Sequence, residues 1–164
     1  MSTPSSFFPG KADIGGLSQA VAASTAYDRL QLALNPANWQ FLADHLQPMA
    51  APVGQVLIEQ GATDRVVYLV EEGVLSAHLQ DEQGRMRLAV INPGTMVGEG
   101  AFFSGLPRSA SVVVTSAARL WCLTPPRFAD LAQRQPALAL ELTMAFAAVT
   151  VRRLNHTTRR IAIT

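Results

Sequence analysis

Residues 98–112 read GEGAFFSGLPRSASV, and this stretch decides how the rest of the chain is interpreted. It carries one acidic residue, Glu99, and one basic residue, Arg108, among glycine, hydroxyl and apolar residues. Glycine allows a backbone to approach a ligand closely. The stretch lies between two β-type runs, and a loop held by rigid strands is a good location for ligand contacts.

The two charges of this loop suit different parts of a ligand. A short helical turn from Ala101 would point backbone N–H groups at an anion. Arg108 would bind that anion in a bidentate manner, with the Ser109 hydroxyl and the Ala110 N–H beside it. Glu99 needs hydrogen-bond donors, which a sugar hydroxyl next to a phosphate would provide. A ribose phosphate with one negative charge satisfies both groups; the alternative is an internal ion pair between Glu99 and Arg108 that closes the turn.

Short β-type runs separated by glycine or proline surround this loop. They cover residues 53–58, 66–70, 74–79, 86–91, 111–115 and 119–123, with turns expected at Gly54, Gly61, Gly73, Gly84 and Pro93-Gly94. Many short strands at close spacing predict a sandwich or barrel, here a β-roll over residues 50–124.

Helical signals flank the predicted roll. Asn35 before Pro36 indicates a helix start, and this helix should stop before Pro48. Residues 27–34 suggest another helical turn or two, and residues 1–25, rich in Ser, Pro, Gly and Ala, are expected to be a flexible tail. After the roll, Thr124 can cap a helix over residues 125–134, and Pro136 opens a long helix to about residue 161. Residues 26–164 would then form one domain, mainly β with flanking α-helices.

The long C-terminal helix has two apolar faces. One has the alternating four- and three-residue spacing of a coiled-coil seam and comprises Leu140, Met144, Ala147, Val151, Leu154, Thr158 and Ile161. The other comprises Leu138, Leu142, Ala145 and Val149 and can pack on the roll. The seam predicts a homodimer; the alternative is one helix buried on two sides within a monomer. The cluster of Arg152, Arg153, Arg159 and Arg160 is expected to be a solvated face at a helix C-terminus.

Composition limits the class of protein. Of 164 residues, 49% are hydrophobic and 15% charged, with a net charge of +1, which predicts a well-buried domain with no general attraction to nucleic acid or membrane. No membrane-length apolar run or secretory leader is visible, so a cytoplasmic protein is expected. The single cysteine, Cys122, is expected to be a core residue.

Signals for catalysis are weak. His45, His78 and His156 are far apart in the sequence and form no metal-binding pattern, and no nucleophile elbow or Walker loop occurs. We therefore predict no metal, no cofactor and no enzymatic activity.

The loop resembles the phosphate-binding cassette of cyclic-nucleotide-binding domains. The matching residues are Gly98-Glu99-Gly100-Ala101-Phe102-Phe103 and Pro107-Arg108-Ser109-Ala110-Ser111-Val112, supported by residues 68–75 and 90–99 and by closing helices with Phe128 and Pro136. The resemblance runs from about Trp39 to the end of the chain. It implies a jelly-roll-like double-stranded β-helix with N-terminal helices and a long C-terminal helix.

The resemblance also implies a site and a function. Glu99 would accept a hydrogen bond from the ribose 2′-hydroxyl, Arg108 would bind the cyclic phosphate, and Ser109 with the Gly98 and Ala110 backbone would complete the cradle. Residues 151–158 resemble the helix in which neighbouring hydroxyl residues meet the adenine, which places Thr157 and Thr158 at the base. The function implied is a cAMP sensor, with cGMP as the other candidate ligand, that transmits binding through its C-terminal helices to an unknown effector protein.

Two other interpretations remain open. Gly100 replaces a larger aliphatic residue of the family pattern, which favours a domain that has lost its ligand and serves as a dimerisation or docking module. No helix-turn-helix segment follows the last helix. This predicts a chain without a DNA-binding domain, the alternative being the N-terminal fragment of a transcription regulator.

Overall fold

Two long antiparallel strands form the centre of the sheet. The computed structural model describes residues 13–162, with the exception of the side chains of residues 158 and 160–162. Strand β3 (Val67–Gln80) pairs with strand β6 (Ser111–Leu123), from Val67 opposite Leu123 to His78 opposite Ser111. The other strands are β1 (Gln47–Ala51), β2 (Val56–Ile58), β4 (Met86–Ile91) and β5 (Met96–Val97). The order is β1-β6-β3-β4, with β2 also paired to β6 and β5 to β3. The predicted jelly-roll-like fold with flanking helices is confirmed.

Gly73 lies inside a strand, so the predicted turn at this position is wrong. Its φ is +88°, and a Cβ there would meet the Ala117 carbonyl oxygen at 2.5 Å and Ala118 Cα at 2.7 Å. The pairing of β3 with β6 shifts register around Glu72 and Val74, which is the signature of a bulge. Here glycine bends a continuous strand, because only glycine fits both the backbone conformation and the close approach of the partner strand.

The N-terminal region contains a packed helix, which corrects the prediction of a flexible tail over residues 1–25. Helix α1 (Gly15–Ala23) buries Leu17 and Val21 completely or almost completely. Gly16 lies against the Glu71 carboxylate, where a Cβ would clash, so the glycine allows close docking and does not signal mobility. Residues 1–12 of the predicted tail lie outside the described residues.

Residues 24–35 connect α1 to the next helix and contain a turn at residues 27–28 but no helix. The predicted helical turns over residues 27–34 are therefore wrong. Leu30 and Leu34 have a helical spacing of four residues, but the segment is irregular: both side chains pack on the core cluster, and the Leu30 N–H donates to the Gly94 carbonyl at 2.9 Å.

Two of the remaining helices begin at side-chain caps that the sequence predicts. Asn35 accepts from the Asn38 N–H at 2.8 Å at the start of α2 (Pro36–Ala43). Helix α3 (Glu99–Ser104) lies within the loop between β5 and β6. Thr124 accepts from the Arg127 N–H at 3.4 Å at the start of α4 (Pro125–Arg134), and α5 (Pro136–Ala162) follows. The predicted inward face of α5 is confirmed, with all four residues of the stripe from Leu138 to Val149 buried.

Two buried clusters hold these layers together. One joins the helices to the sheet and includes Leu17, Leu69 and Phe146. The other consists of strand residues, such as Val70 and Leu75. Cys122 is partly buried in β6, and burial raises the pKa of its thiol to about 12, so the thiol is held in its protonated form.

Candidate ligand site

A cavity of about 280 Å³ lies where the loop before β6 faces α5 and the segment before α2. Its lining contains the predicted ligand residues Gly98, Glu99, Gly100, Ala101, Arg108, Ser109, Ala110 and Thr157. An apolar wall comes from the strand cluster through Ile58, Ile91, Val97 and Val112. The volume is near the lower end of the roughly 300–1,000 Å³ that is typical of small-molecule sites. The predicted residues are therefore brought together around one concave space.

Arg108 is the buried cation of the cavity, with only 4% of its surface exposed. Its Nη1 donates to the Gly98 carbonyl at 3.0 Å and its Nη2 to the Val66 carbonyl at 2.7 Å. Its Nε and Nη2 also donate to the two carboxylate oxygens of Asp64. These bonds engage four of the five guanidinium hydrogens, which leaves one Nη1–H without an acceptor among the described residues. The guanidinium is thus fixed in orientation and still has a donor for an anion.

Asp64 supports Arg108 from outside the cavity, and sequence reasoning missed it. The hydrogen bond from Arg108 holds the pKa of the Asp64 carboxyl below its usual value, against the opposing effect of burial. Half of the Asp64 side chain is exposed, so its charge is partly screened by water. No motif singles out this acid, because its partner lies 44 positions away in the sequence.

Gly98 sets the geometry of the loop between β5 and β6. It precedes α3 with φ +94°, a conformation that favours glycine. A Cβ at this position would lie 2.6 Å from the Val66 carbonyl oxygen and 2.7 Å from Arg108 Nη1. Gly100 is different, because a Cβ there would meet nothing within 4 Å and its φ is ordinary. Only the first of the two glycines is required by the backbone of the loop.

Glu99 makes its ion pair with Arg153 of α5. The distance from Arg153 Nη1 to Glu99 Oε1 is 2.9 Å. Arg108, the alternative partner considered from the sequence, is engaged with Asp64. Glu99 and Arg108 therefore occupy separate positions along the cavity, as two different ligand groups would require.

Arg153 lies at the centre of a buried charge network, so the prediction that it belongs to a solvated basic face is wrong. Besides Glu99 it binds Asp28 Oδ2 through Nε at 2.8 Å and the Met96 carbonyl through Nη2 at 2.6 Å. Burial opposes its charge, but the neighbouring charges of Glu99 and Asp28 raise the pKa of Arg153 above its ordinary value. Its neighbour Arg152 is also engaged, with the Arg29 carbonyl at 3.1 Å and the Gln31 side chain.

Tyr27 and Asp28 also line the cavity, and the sequence analysis does not predict them as site residues. Asp28 is 4% exposed, and the Tyr27 ring stacks on His156 with centroids 4.4 Å apart and planes 22° apart. Both residues come from the segment between α1 and α2. Their contacts join residues more than a hundred positions apart, for which the sequence offers no signal.

The predicted base contacts and the predicted seam lie on α5. The Thr157 hydroxyl lines the cavity and donates to the Arg153 carbonyl at 3.0 Å, whereas the Thr158 side chain lies outside the described residues. Of the seam, Leu140 and Met144 are each 63% exposed, Val151 is 54% and Leu154 is 65% exposed. Ala147 is also exposed, and the Ile161 side chain is not described.

Comparison with known proteins relates this arrangement to one family. The family model described as "Cyclic nucleotide-binding domain" matches residues 49–135, more than half of the chain. The cAMP-activated global transcriptional regulator CRP of Salmonella typhimurium is 28% identical over 124 residues, which cover 74% of this chain and 57% of the regulator. Acetyltransferase Pat of Mycolicibacterium smegmatis is 31% identical over 105 residues, covering 64% of this chain and 32% of the enzyme.

Among solved structures, the fold is similar to a cyclic nucleotide-binding domain from Methylobacillus flagellatus KT. The TM-score is 0.79 at 19% identity, over 90% of this chain and 81% of that one. The chain spans only about half the length of curated relatives such as the Salmonella regulator, 57% of which is matched. In the described part of the chain, no helix is both long and apolar enough to cross a membrane.

Proposed function

Because the chain belongs to the cyclic nucleotide-binding domain family, we propose that its cavity binds a 3′,5′-cyclic nucleotide, with cAMP as the preferred ligand. The observation that carries this proposal is the buried Arg108, which lines the cavity with a guanidinium hydrogen still unpaired by the described residues. A buried cation in this position stabilises an anion strongly, because little water competes for it.

The residues that line the cavity offer a partner for each part of a cyclic nucleotide. Arg108, Ser109 and the Ala110 N–H are assigned to the cyclic phosphate. Glu99 is assigned to the ribose 2′-hydroxyl, since a carboxylate accepts a hydroxyl hydrogen bond and repels a phosphate. Thr157 is assigned to the base. Its hydroxyl can both donate and accept, so it is compatible with adenine and with guanine, and cGMP is the second candidate ligand.

Helix α5 is the proposed route by which binding is transmitted. It carries Arg153 and Thr157 on the cavity side and the exposed seam on another side. A ligand that binds one position of α5 better than another shifts the helix towards that position. The proposed output is a homodimer contact through the seam, together with contact to an effector protein. The domain is proposed to act in the cytoplasm as a non-catalytic sensor.

A second candidate function is supported by the same exposed seam. Four large apolar side chains at more than half exposure are unusual on one helix face, and a docking module without a ligand would also have them. Isothermal titration calorimetry with cAMP and with cGMP separates the two functions. A sensor binds at least one nucleotide, whereas a ligand-free module shows no heat and no nucleotide-dependent rise in Tm.

The variants for this experiment are Arg108→Ala and Arg108→Lys, with Arg127→Ala as the control. Arg108→Ala should weaken cAMP binding about 100-fold, as expected when a buried charged partner is truncated. Arg108→Lys keeps the charge but loses the planar fork, so it should recover binding only in part. Arg127 is an exposed arginine of α4, and its loss should leave the affinity unchanged. Equal affinities in all four proteins would contradict the proposed site.

A further inference from the structure

The segment between α1 and α2 crosses α5 at the cavity, and three consecutive residues of it contact that helix. The Tyr27 ring stacks on His156, Asp28 binds Arg153, and the Arg29 carbonyl accepts from Arg152. We call residues 27–29 the strap. The strap is anchored on its C-terminal side by the Leu30 N–H, which donates to the Gly94 carbonyl, and by the buried Leu30 side chain. It is therefore a fixed wall of the cavity.

The contacts define a direction along the cavity. Arg108 binds the Gly98 carbonyl, and the next residue, Glu99, binds Arg153. Arg153 in turn binds Asp28 of the strap, next to Tyr27. A nucleotide whose phosphate is at Arg108 and whose ribose is at Glu99 therefore has its base at the strap end. This assignment rests on the proposed function, because it takes those two residues as the phosphate and ribose contacts.

Tyr27 has the chemistry that a base requires. Among the described residues that line the cavity, it is the one aromatic side chain. The phenylalanines of α3, α4 and α5 pack against one another instead. Stacking of Tyr27 on His156 holds its ring in a fixed plane, while 47% of the residue remains exposed. Every nucleobase has a flat π-face that stacks on aromatic rings, and purines offer the larger face.

We propose that Tyr27, held by the strap against His156, is the stacking platform for the purine base of the ligand. The N-terminal segment then contributes to the ligand site itself, beyond the domain that the family model matches. Stacking makes little distinction between adenine and guanine, so Tyr27 selects for a purine and leaves the choice between the two to hydrogen-bonding groups.

The test compares Tyr27→Ala and Tyr27→Phe with two ligands. One ligand is cAMP, and the other is ribose 3′,5′-cyclic phosphate, which keeps the phosphate and the 2′-hydroxyl but has no base. Tyr27→Ala should weaken cAMP binding by about tenfold or more, the range measured for loss of base stacking. It should change the affinity for the base-free ligand less than about twofold. Tyr27→Phe keeps the ring and should bind both ligands as the wild type does.

The outcomes separate stacking from a structural role of the strap. An equal loss of affinity for both ligands in Tyr27→Ala would mean that the residue only positions the strap, and would overturn the proposal. Unchanged cAMP binding in Tyr27→Ala would overturn it as well. If cAMP binds to the wild type and Arg108→Ala abolishes that binding, the proposed function stands whatever Tyr27 does. If the wild type binds neither ligand, the proposed function itself fails.

Discussion

Replacing Arg153 by methionine should destabilise the protein far more than the same change at the adjacent Arg152. The Arg153 guanidinium is shared by two carboxylates whose side chains are only 5% exposed for Asp28 and 14% exposed for Glu99. Methionine has a similar length and no charge, so both acids would lose the cation that compensates their burial. Removal of one partner from a buried ion pair destabilises the folded state by about 3–5 kcal/mol. We expect a loss of that size.

Arg152 is the matched control because its acceptors are neutral. It donates to the Arg29 carbonyl at 3.1 Å and to the Gln31 side chain, and no carboxylate depends on it for these bonds. Arg152→Met should therefore lower the free energy of unfolding by about 1–2 kcal/mol, because it removes two hydrogen bonds that are only partly buried or exposed. Both variants remove one positive charge from the same turn of α5, so the general electrostatic effect is the same.

Urea unfolding followed by tryptophan fluorescence measures both losses. Trp39 and Trp121 are 8% and 2% exposed, so unfolding changes the environment of both indole rings. The free energies of unfolding in water come from linear extrapolation, and the slopes should agree among the wild type and the two variants. Equal losses in Arg153→Met and Arg152→Met, with equal slopes, would refute the reasoning that two buried carboxylates depend on Arg153.

Three further predictions concern the loop, the acid that supports it and the seam. Gly98→Ala should destabilise the fold by about 1–3 kcal/mol through backbone strain, and it should weaken cAMP binding by displacing Arg108. Gly100→Ala should retain wild-type affinity. Tm measures the change in stability, and calorimetry measures the change in cAMP affinity. Because Arg108 lowers the pKa of Asp64, their pair stabilises the fold above about pH 4 and the contribution disappears as the pH falls through the lowered pKa. Asp64→Asn should then show a flatter fall of Tm in acid, and an unchanged fall would contradict this. Met144→Glu should weaken a dimer about tenfold or more in sedimentation, without lowering Tm at protein concentrations where the wild type is monomeric.

The sequence predicts the parts of the site that are local in the chain. Gly98, Glu99 and Arg108 belong to one loop: the backbone conformation requires the glycine, and the proposed ligand accounts for the acid and the arginine. The helix caps are equally local, since the Asn35 side chain bonds an amide three residues away. Such features depend on a few neighbouring residues, so a sequence pattern is enough to identify them.

The strap and the charge network could not be predicted in this way. Asp28 looks like an ordinary loop acid, and it becomes part of the site only because Arg153, 125 positions away, reaches it. The predicted helical turns around Leu30 are wrong for the same reason, because this residue is held by the core cluster and by a backbone hydrogen bond to Gly94, both distant in the sequence. The sequence predicts a flexible tail around Gly16 and a turn at Gly73. In the structure, Gly16 allows close contact with Glu71, and Gly73 allows close contact with β6. The sequence alone does not show whether a glycine marks a turn or flexible segment or allows close packing of the backbone.

Ligand binding and dimerisation should be linked through α5, and the linkage can be measured from both sides. The helix is continuous from Pro136 to Ala162, so Arg153 at the cavity and Val151 and Leu154 at the seam move with one backbone. If cAMP favours one position of α5 and the dimer requires that same position, cAMP tightens dimerisation. Because a dimer holds two sites, thermodynamic reciprocity requires the factor of this tightening to equal the square of the factor by which dimerisation tightens cAMP binding at each of two equal sites. Sedimentation with and without cAMP gives the first factor, and calorimetry on dilute monomer and concentrated dimer gives the second. No change in dimer affinity at saturating cAMP would show that the cavity and the seam are energetically independent.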